Sequence, residues 1–547
     1  MNSGEITVSG QIVDPVNQRI FSGTLRIVDG RIAEVIEEET EATGYILPGF
    51  VDAHVHVESS MLVPSEFARI AVVHGTVATV SDPHEIANVL GIDGVRYMIE
   101  NGAQTPFKFA FGAPSCVPAT GFETAGAAMG PDDVRELLQD DRVLYLSEMM
   151  NWPGVIFDDD EVHEKLRIAR ELGKPVDGHA PGLRGENLKK YVGAGISTDH
   201  ESFTYEEGKE KLELGMKLLI REGSAAKNFE ALHPLLREHP DSCMFCSDDK
   251  HPDDLLESHI NGLVRRALGE GHDLMTVLRT ACVHPVEHYG LNVGLLQVGD
   301  PADFIEVPSL DEMRPVRTWI DGAVVAEHGE TNIPGVPVTV VNNFTPREIR
   351  SEELSVPFDG ERATLNVIGA IDGQIVTDRR QAEAVILNGE IVGNVDADVL
   401  KIAVVNRYSP APPAVAFING FGLKQGALAS SVAHDSHNIV AVGATDEDLC
   451  RAINLVMESQ GGLSVVAGAK EEVLPLPVAG LMSDNDATQV GETYARLDVL
   501  TKDVLGTPLT SPYMTLSFMA LLVIPSLKLS DQGLFDGEKF EFRNLIA

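Results

Sequence analysis

Pro48-Gly49-Phe50-Val51-Asp52-Ala53-His54-Val55-His56-Val57 is an apolar run whose only imidazoles lie two positions apart. Side chains at i and i+2 of a strand share a face, so His54 and His56 point together. The Pro-Gly pair before them marks where a loop becomes the strand. Two neutral imidazoles converging on one point suit a borderline divalent metal such as zinc, manganese or iron. Two packed histidines on a half-buried strand would leave the same trace, and ligands elsewhere in the chain must separate these readings.

Further along, short apolar runs at 76–80, 107–111, 143–146, 175–176, 196–198, 217–220 and 244–246 alternate with longer helical patterns. With the opening strand these make eight between 47 and 290, the expectation for a (β/α)8 TIM barrel. Residues 5–46 alternate apolar and polar positions around turn signals such as Val28-Asp29-Gly30-Arg31, the pattern of short antiparallel strands. The same texture returns at 294–304 and 320–325. The fold class is therefore α/β: a barrel at 47–290 inserted in a small β-sandwich domain made of 1–46 and 291–338. A C-terminal α+β domain spans 339–547, with a helix from Asp446 to Glu458, where Leu449, Ile453, Leu455 and Val456 fall at near-helical spacing, and a Pro-rich loop at 410–413.

At 547 residues the chain is too long for one ordinary core. Its 83 acidic against 42 basic residues give a net charge of −41, a field that repels phosphate backbones, so nucleic acid is excluded as a partner. No apolar run reaches the ~20 residues of a membrane span, and Met1-Asn2-Ser3-Gly4-Glu5 is unlike a signal peptide. Five cysteines, an odd number, fit a reducing compartment. These features together predict a cytoplasmic protein. Cys243-Met244-Phe245-Cys246 spells CxxC, but no second CxxC accompanies it, and we read it as a buried strand.

Chemistry in such a barrel belongs at the carboxyl ends of the strands. Glu148, His179, His200 and Asp248 each stand just after a short apolar run. Glu148 and His179 are 31 residues apart and His179 and His200 are 21 apart, one strand-helix unit each, whereas the 48 from His200 to Asp248 fit two. The strand skipped ends in Arg221-Glu222-Gly223-Ser224, with no obvious ligand. Four His and two carboxylates exceed the needs of one tetrahedral ion and match two ions sharing a bridging carboxylate, with hydroxide completing the bridge.

The local words PGFVDAHVHVESSM at 48–61, SDPHEIANVLG at 81–91, SEMMNWPGV at 147–155, DGHAPGL at 177–183, DHES at 199–202, REGSAAKN at 221–228 and CSDDKHP at 246–252 closely resemble the adenine deaminases of the amidohydrolase superfamily. The likeness continues at Val432-Ala433-His434-Asp435-Ser436-His437-Asn438. It implies His54, His56 and Asp248 on one ion, His179 and His200 on the other, and Glu148 bridging, where many relatives use a carboxylated lysine. It implies two divalent ions, manganese or iron first and zinc third, adenine as substrate, and a homodimer or higher oligomer. A metal-bridged hydroxide would attack C6, and Asp248 would carry its proton toward the ring or the departing ammonia, leaving hypoxanthine, a step of purine salvage.

Asp249 is implied to hold a purine nitrogen and Glu85 to supply a further carboxyl; His84 and Glu58 are weaker candidates. Each has a plainer reading: an N-cap for Asp249, a helix-start acid for Glu85, a surface charge for Glu58. His434 and His437 fit a third metal less well than a domain contact or loop packing. The rival activities are a cyclic-amide hydrolase of the dihydroorotase or hydantoinase type and a hydrolase-like scaffold without activity.

Overall fold

The computed structural model describes residues 4–547; Met1 to Ser3, part of the amino terminus read as unlike a signal peptide, lie outside them. Strands β1 (Ile6–Asp14), β2 (Arg19–Val28) and β3 (Arg31–Glu37) form an antiparallel meander. Its second turn, Asp29-Gly30, has positive φ at both residues, as a two-residue hairpin turn of matching twist requires. Strand β4 (Tyr45–Pro48) lies parallel to β1. At Gly49 the run leaves this sheet and enters the barrel, and a Cβ there would sit 2.4 Å from Val77.

The barrel strands are β5 (Phe50–Val55), β6 (Thr76–Ser81), β7 (Lys108–Ala113), β8 (Val143–Met149), β9 (Val176–Gly178), β10 (Thr198–Asp199), β11 (Lys217–Arg221) and β12 (Cys243–Cys246). All eight expected strands are present, β5 to β9 and β10 to β12 each paired in parallel and in sequence order. The Ser197 amide and hydroxyl both donate to the Val176 carbonyl and join β9 to the β10 segment. Backbone bonds between His54, His56 and Asp248 close the last strand on the first. Being buried on both faces, these strands read as near-continuous apolar runs, and Cys243 and Cys246 are free, buried thiols of β12.

After the barrel, β13 (Phe304–Val307) pairs with β4 and is followed by β14 (Arg317–Ile320), β15 (Ala323–Glu327) and β16 (Glu330–Thr331). Segments before and after the barrel thus share one eight-stranded sheet, and Ile12, Leu25 and Ile27 share a core cluster with Phe304 and Trp319. The strand texture read over 294–304 begins only at Phe304. Asp300 accepts the amides of Leu295 and Gln297, and Asp303 that of Gly294, so local carboxylates take donors that a strand partner would have used.

A second eight-stranded sheet, from Asp378–Glu383 at one edge to Lys470–Pro475 at the other, carries the helix Asp446–Glu458. That helix starts where predicted because the Thr445 side chain caps it. It packs Leu449, Ile453 and Val456 on Ala403, Ala429 and Ala441. No helix among the described residues is long and apolar enough to cross a membrane.

Asp52 fastens the barrel seam: it accepts the amide and hydroxyl of Ser247 and, at 2.8 Å, His259 Nε2. Asp52→Ala would strand these fully buried donors, and we expect it to cost about 3 kcal/mol or more, read as a lowered midpoint in denaturant.

Candidate metal centre

His54 stands on β5 and His56 just beyond it, where the pairing with β6 slips between Asp52 and Val55, a bulge that re-aims side chains. Their Nε2 atoms lie 3.2 Å apart. His56 Nδ1 is 3.1 Å from the Asp82 carbonyl, so it carries the proton and leaves the Nε2 lone pair facing the cluster. Asp248 follows β12 in left-handed backbone, φ +55°, tolerated better by Asp than by most side chains. Its Oδ1 lies 3.5 Å from His54 Nε2 and 3.3 Å from His56 Nε2.

Glu148, on β8, is buried among imidazoles. Its Oε1 is 3.4 Å from His56 Nε2 and 3.3 Å from His84 Nδ1, and its Oε2 is 2.7 Å from His179 Nδ1 and 3.1 Å from His200 Nε2. His179 and His200 come directly after β9 and β10, with Gly178 before His179 because a Cβ would meet the Thr198 carbonyl at 2.4 Å. All six expected ligands therefore meet at the carboxyl end of the barrel. Four-coordinate ligands about 2.0–2.1 Å from an ion lie about 3.3 Å from one another. The triangle of His54, His56 and Asp248 has that size, and the donor set, imidazole and carboxylate, fits divalent ions.

The Amidohydrolase family profile matches residues 45–325, and the Adenine deaminase C-terminal domain profile matches 374–541. Over 98% of both sequences the chain is 57% identical to the adenine deaminase of Salinibacter ruber. It is 56% identical to that of a Sulfurovum species over 97% of this chain and 98% of the other, and 52% identical to that of Methanosarcina mazei over 98% and 99%. The chain belongs to the adenine deaminase family.

Two residues of the centre escaped the sequence reading. Arg221, at the end of the strand that lacked an obvious ligand, is buried and donates to both Glu201 and Asp248. Glu201, next to His200, lies 3.5 Å from His200 Nε2. The signal was present, since an arginine closing an apolar barrel strand must find carboxylates. Burial pushes the Asp248 carboxyl up, but Arg221, His54 and His56 outweigh it and hold the group well below the usual range. For Glu148 burial likewise opposes, and His179 and His200 prevail.

Asp249 does not cap a helix, since the next one begins at Pro252 behind His251; it lines the cleft and takes the Ser59 hydroxyl at 2.5 Å. Glu58 is not a surface charge: it is 2% exposed and accepts the Ile86 amide, and burial raises its carboxyl to about 7. Glu85 lies in the first turn of the helix His84–Leu90, as the plainer reading had it, yet both its oxygens meet imidazoles of the C-terminal part, His434 and His437. His84 Nε2 is 3.6 Å from Glu85 and 3.9 Å from Asp435. A larger cavity, about 400 Å³, opens among Phe107, Phe109 and Leu144 near the strand starts, with no imidazole in its lining.

Metal analysis of the purified chain should find about two divalent ions per chain. Glu148→Ala should lose most of that metal. A chelator should lower the melting temperature of the wild type and leave that of the variant unchanged; full metal retention in the variant would contradict the assignment.

Proposed function

We propose that this chain is an adenine deaminase, replacing the C6 amino group of adenine with oxygen from water and releasing hypoxanthine and ammonia. The observation that carries the reading is Glu148, whose two oxygens each face a different pair of imidazoles, in a chain that a relative named adenine deaminase matches over 98% of both sequences. We assign His54, His56 and Asp248 to one ion and His179 and His200 to the other, with Glu148 shared. When bound, divalent ions acidify water so that it can act as a nucleophile near neutral pH.

Asp248, kept ionised by Arg221, takes the water's proton and passes it to the purine ring or the departing amine. Asp249, pointing into the cleft beside Ser59, accepts from the purine edge. His84, held between Asp82 and Glu148 at 3.2 and 3.3 Å, presents Nε2 toward substrate, and Glu85 is the carboxylate that exchanges a proton with it. Met150, Ile375, Phe518 and Leu521 add apolar walls suited to a flat ring.

Manganese or iron comes first by the resemblance to the family, and zinc is possible, since imidazole and carboxylate ligands suit all three. Five free thiols, four of them buried, support a cytoplasmic site of action in purine salvage, and a homodimer or higher oligomer is the working assembly. We keep the division into 1–46 with 291–338, 47–290 and 339–547, with the first boundary moved past β4, whose Leu47 and Pro48 pair with β13.

Incubating metal-loaded protein with adenine, adenosine, dihydroorotate and hydantoin, while following ammonia and ring absorbance, tests the proposal. Adenine alone should be turned over, Glu148→Ala should abolish it, and Asp248→Asn should slow it by about a hundredfold or more. Turnover of dihydroorotate without adenine would overturn the assignment.

A further inference from the structure

We propose that His434 is a substrate-positioning residue: its Nε2–H donates to a purine ring nitrogen, N3 or N7, so that the C-terminal part of the chain supplies one side of the recognition site. This rests on the adenine deaminase reading above.

His434 lines the same cleft as Glu148, Asp248 and Asp249 and is 4% exposed. Its Nδ1 contacts Glu85, while its Nε2 is buried with no hydrogen-bond partner. The Asp249 carboxylate, 3.9 Å away, is beyond hydrogen-bond reach. A buried polar atom left without a partner is costly, and one that faces a binding cleft has a ready explanation in the ligand.

The imidazole is held rigidly. The Ala433 amide donates to His437 Nδ1 at 3.2 Å, which places the His437 proton on Nε2, where it meets the second oxygen of Glu85 at 2.5 Å. Glu85 therefore accepts from His437 through one oxygen and is in close ionic contact with His434 through the other. These direct contacts tie the C-terminal part to the helix His84–Leu90, as the domain-contact reading of the two histidines had it. Phe518 stacks on His434 at 5.4 Å between centroids and 27° between planes, fixing the ring's orientation. Burial opposes the charged form, but Glu85 and Asp249 outweigh it and raise the His434 imidazole to about 9, which leaves a second N–H for the cleft it lines.

The C6 and N1 edge of adenine must face the metal ligands. A donor from the C-terminal wall then meets N3 or N7. Each of these acceptors has an N–H neighbour on the purine edge, N9–H beside N3 and the amine beside N7, and the donor of His434 stands beside the acceptor of Asp249 in the same way.

The test uses full-length, metal-loaded protein with adenine, 3-deazaadenine and 7-deazaadenine, and calorimetric binding of hypoxanthine. For the wild type, KM for one of the two deaza compounds should rise about ten- to hundredfold, the cost of one hydrogen bond to a charged donor. His434→Ala should raise KM for adenine by a similar factor and weaken hypoxanthine binding in parallel, with metal content unchanged. It should have little further effect on the sensitive deaza compound. His434→Gln, which keeps an N–H, should recover part of the loss. Equal wild-type KM for all three purines overturns the proposal even if the variants fail to fold, as does an equal loss in His434→Ala on all three. A wild type inactive on adenine would instead remove the underlying assignment.

Discussion

One buried carboxylate organises this molecule. Glu148 has an imidazole pair on each oxygen, all four nitrogens within 3.4 Å, and the groups meeting there come from positions as far apart as 56 and 200. Bringing separate chain segments to one point is what a closed parallel barrel does, because every strand ends at the same rim. The supporting contacts serve the same point: Asp82 takes the Ser147 hydroxyl at 2.7 Å beside Glu148, and Asp52 ties the first strand to the last below His54. So many desolvated charges are tolerable only because each has partners of opposite sign or accepts hydrogen bonds.

Arg221 gives that arrangement its electrostatic balance. It is the permanent cation among the carboxylates of the centre, and its guanidinium spans Glu201 and Asp248, keeping the second of these ionised and oriented. Most of the chain's acidic residues lie elsewhere, partly or fully exposed. The cleft itself is closed by residues of the C-terminal part, Ile375, His434, Asp435, Phe518 and Leu521, so the reactive end of the barrel is covered by loops and the end of a helix from outside it.

Much of this was legible before the structure because it is local. Eight apolar runs at barrel spacing became eight strands, the His-x-His phase on β5 brought two imidazoles together, and the stretch from Asp446 to Glu458 carried its own cap and apolar stripe. The misreadings have equally local causes. The stretch 294–303 alternates like a strand, yet Asp300 and Asp303 satisfy its amides. Glu58 looks like a surface acid next to two serines, yet the rim folds over it.

From residue order alone came the periodicities, the strand ends and the list of metal-competent side chains, since each depends on neighbours within a few positions. The partners of those side chains lay outside such a reading. Glu85 and His437 are 352 positions apart, and Asp52 and His259 are 207 apart. Arg221 gained its role only once β10, β11 and β12 were side by side. Contacts at such separations are set by how sheets and helices stack on one another, through the burial of whole apolar faces, and no local pattern encodes which polar groups that stacking will bring together.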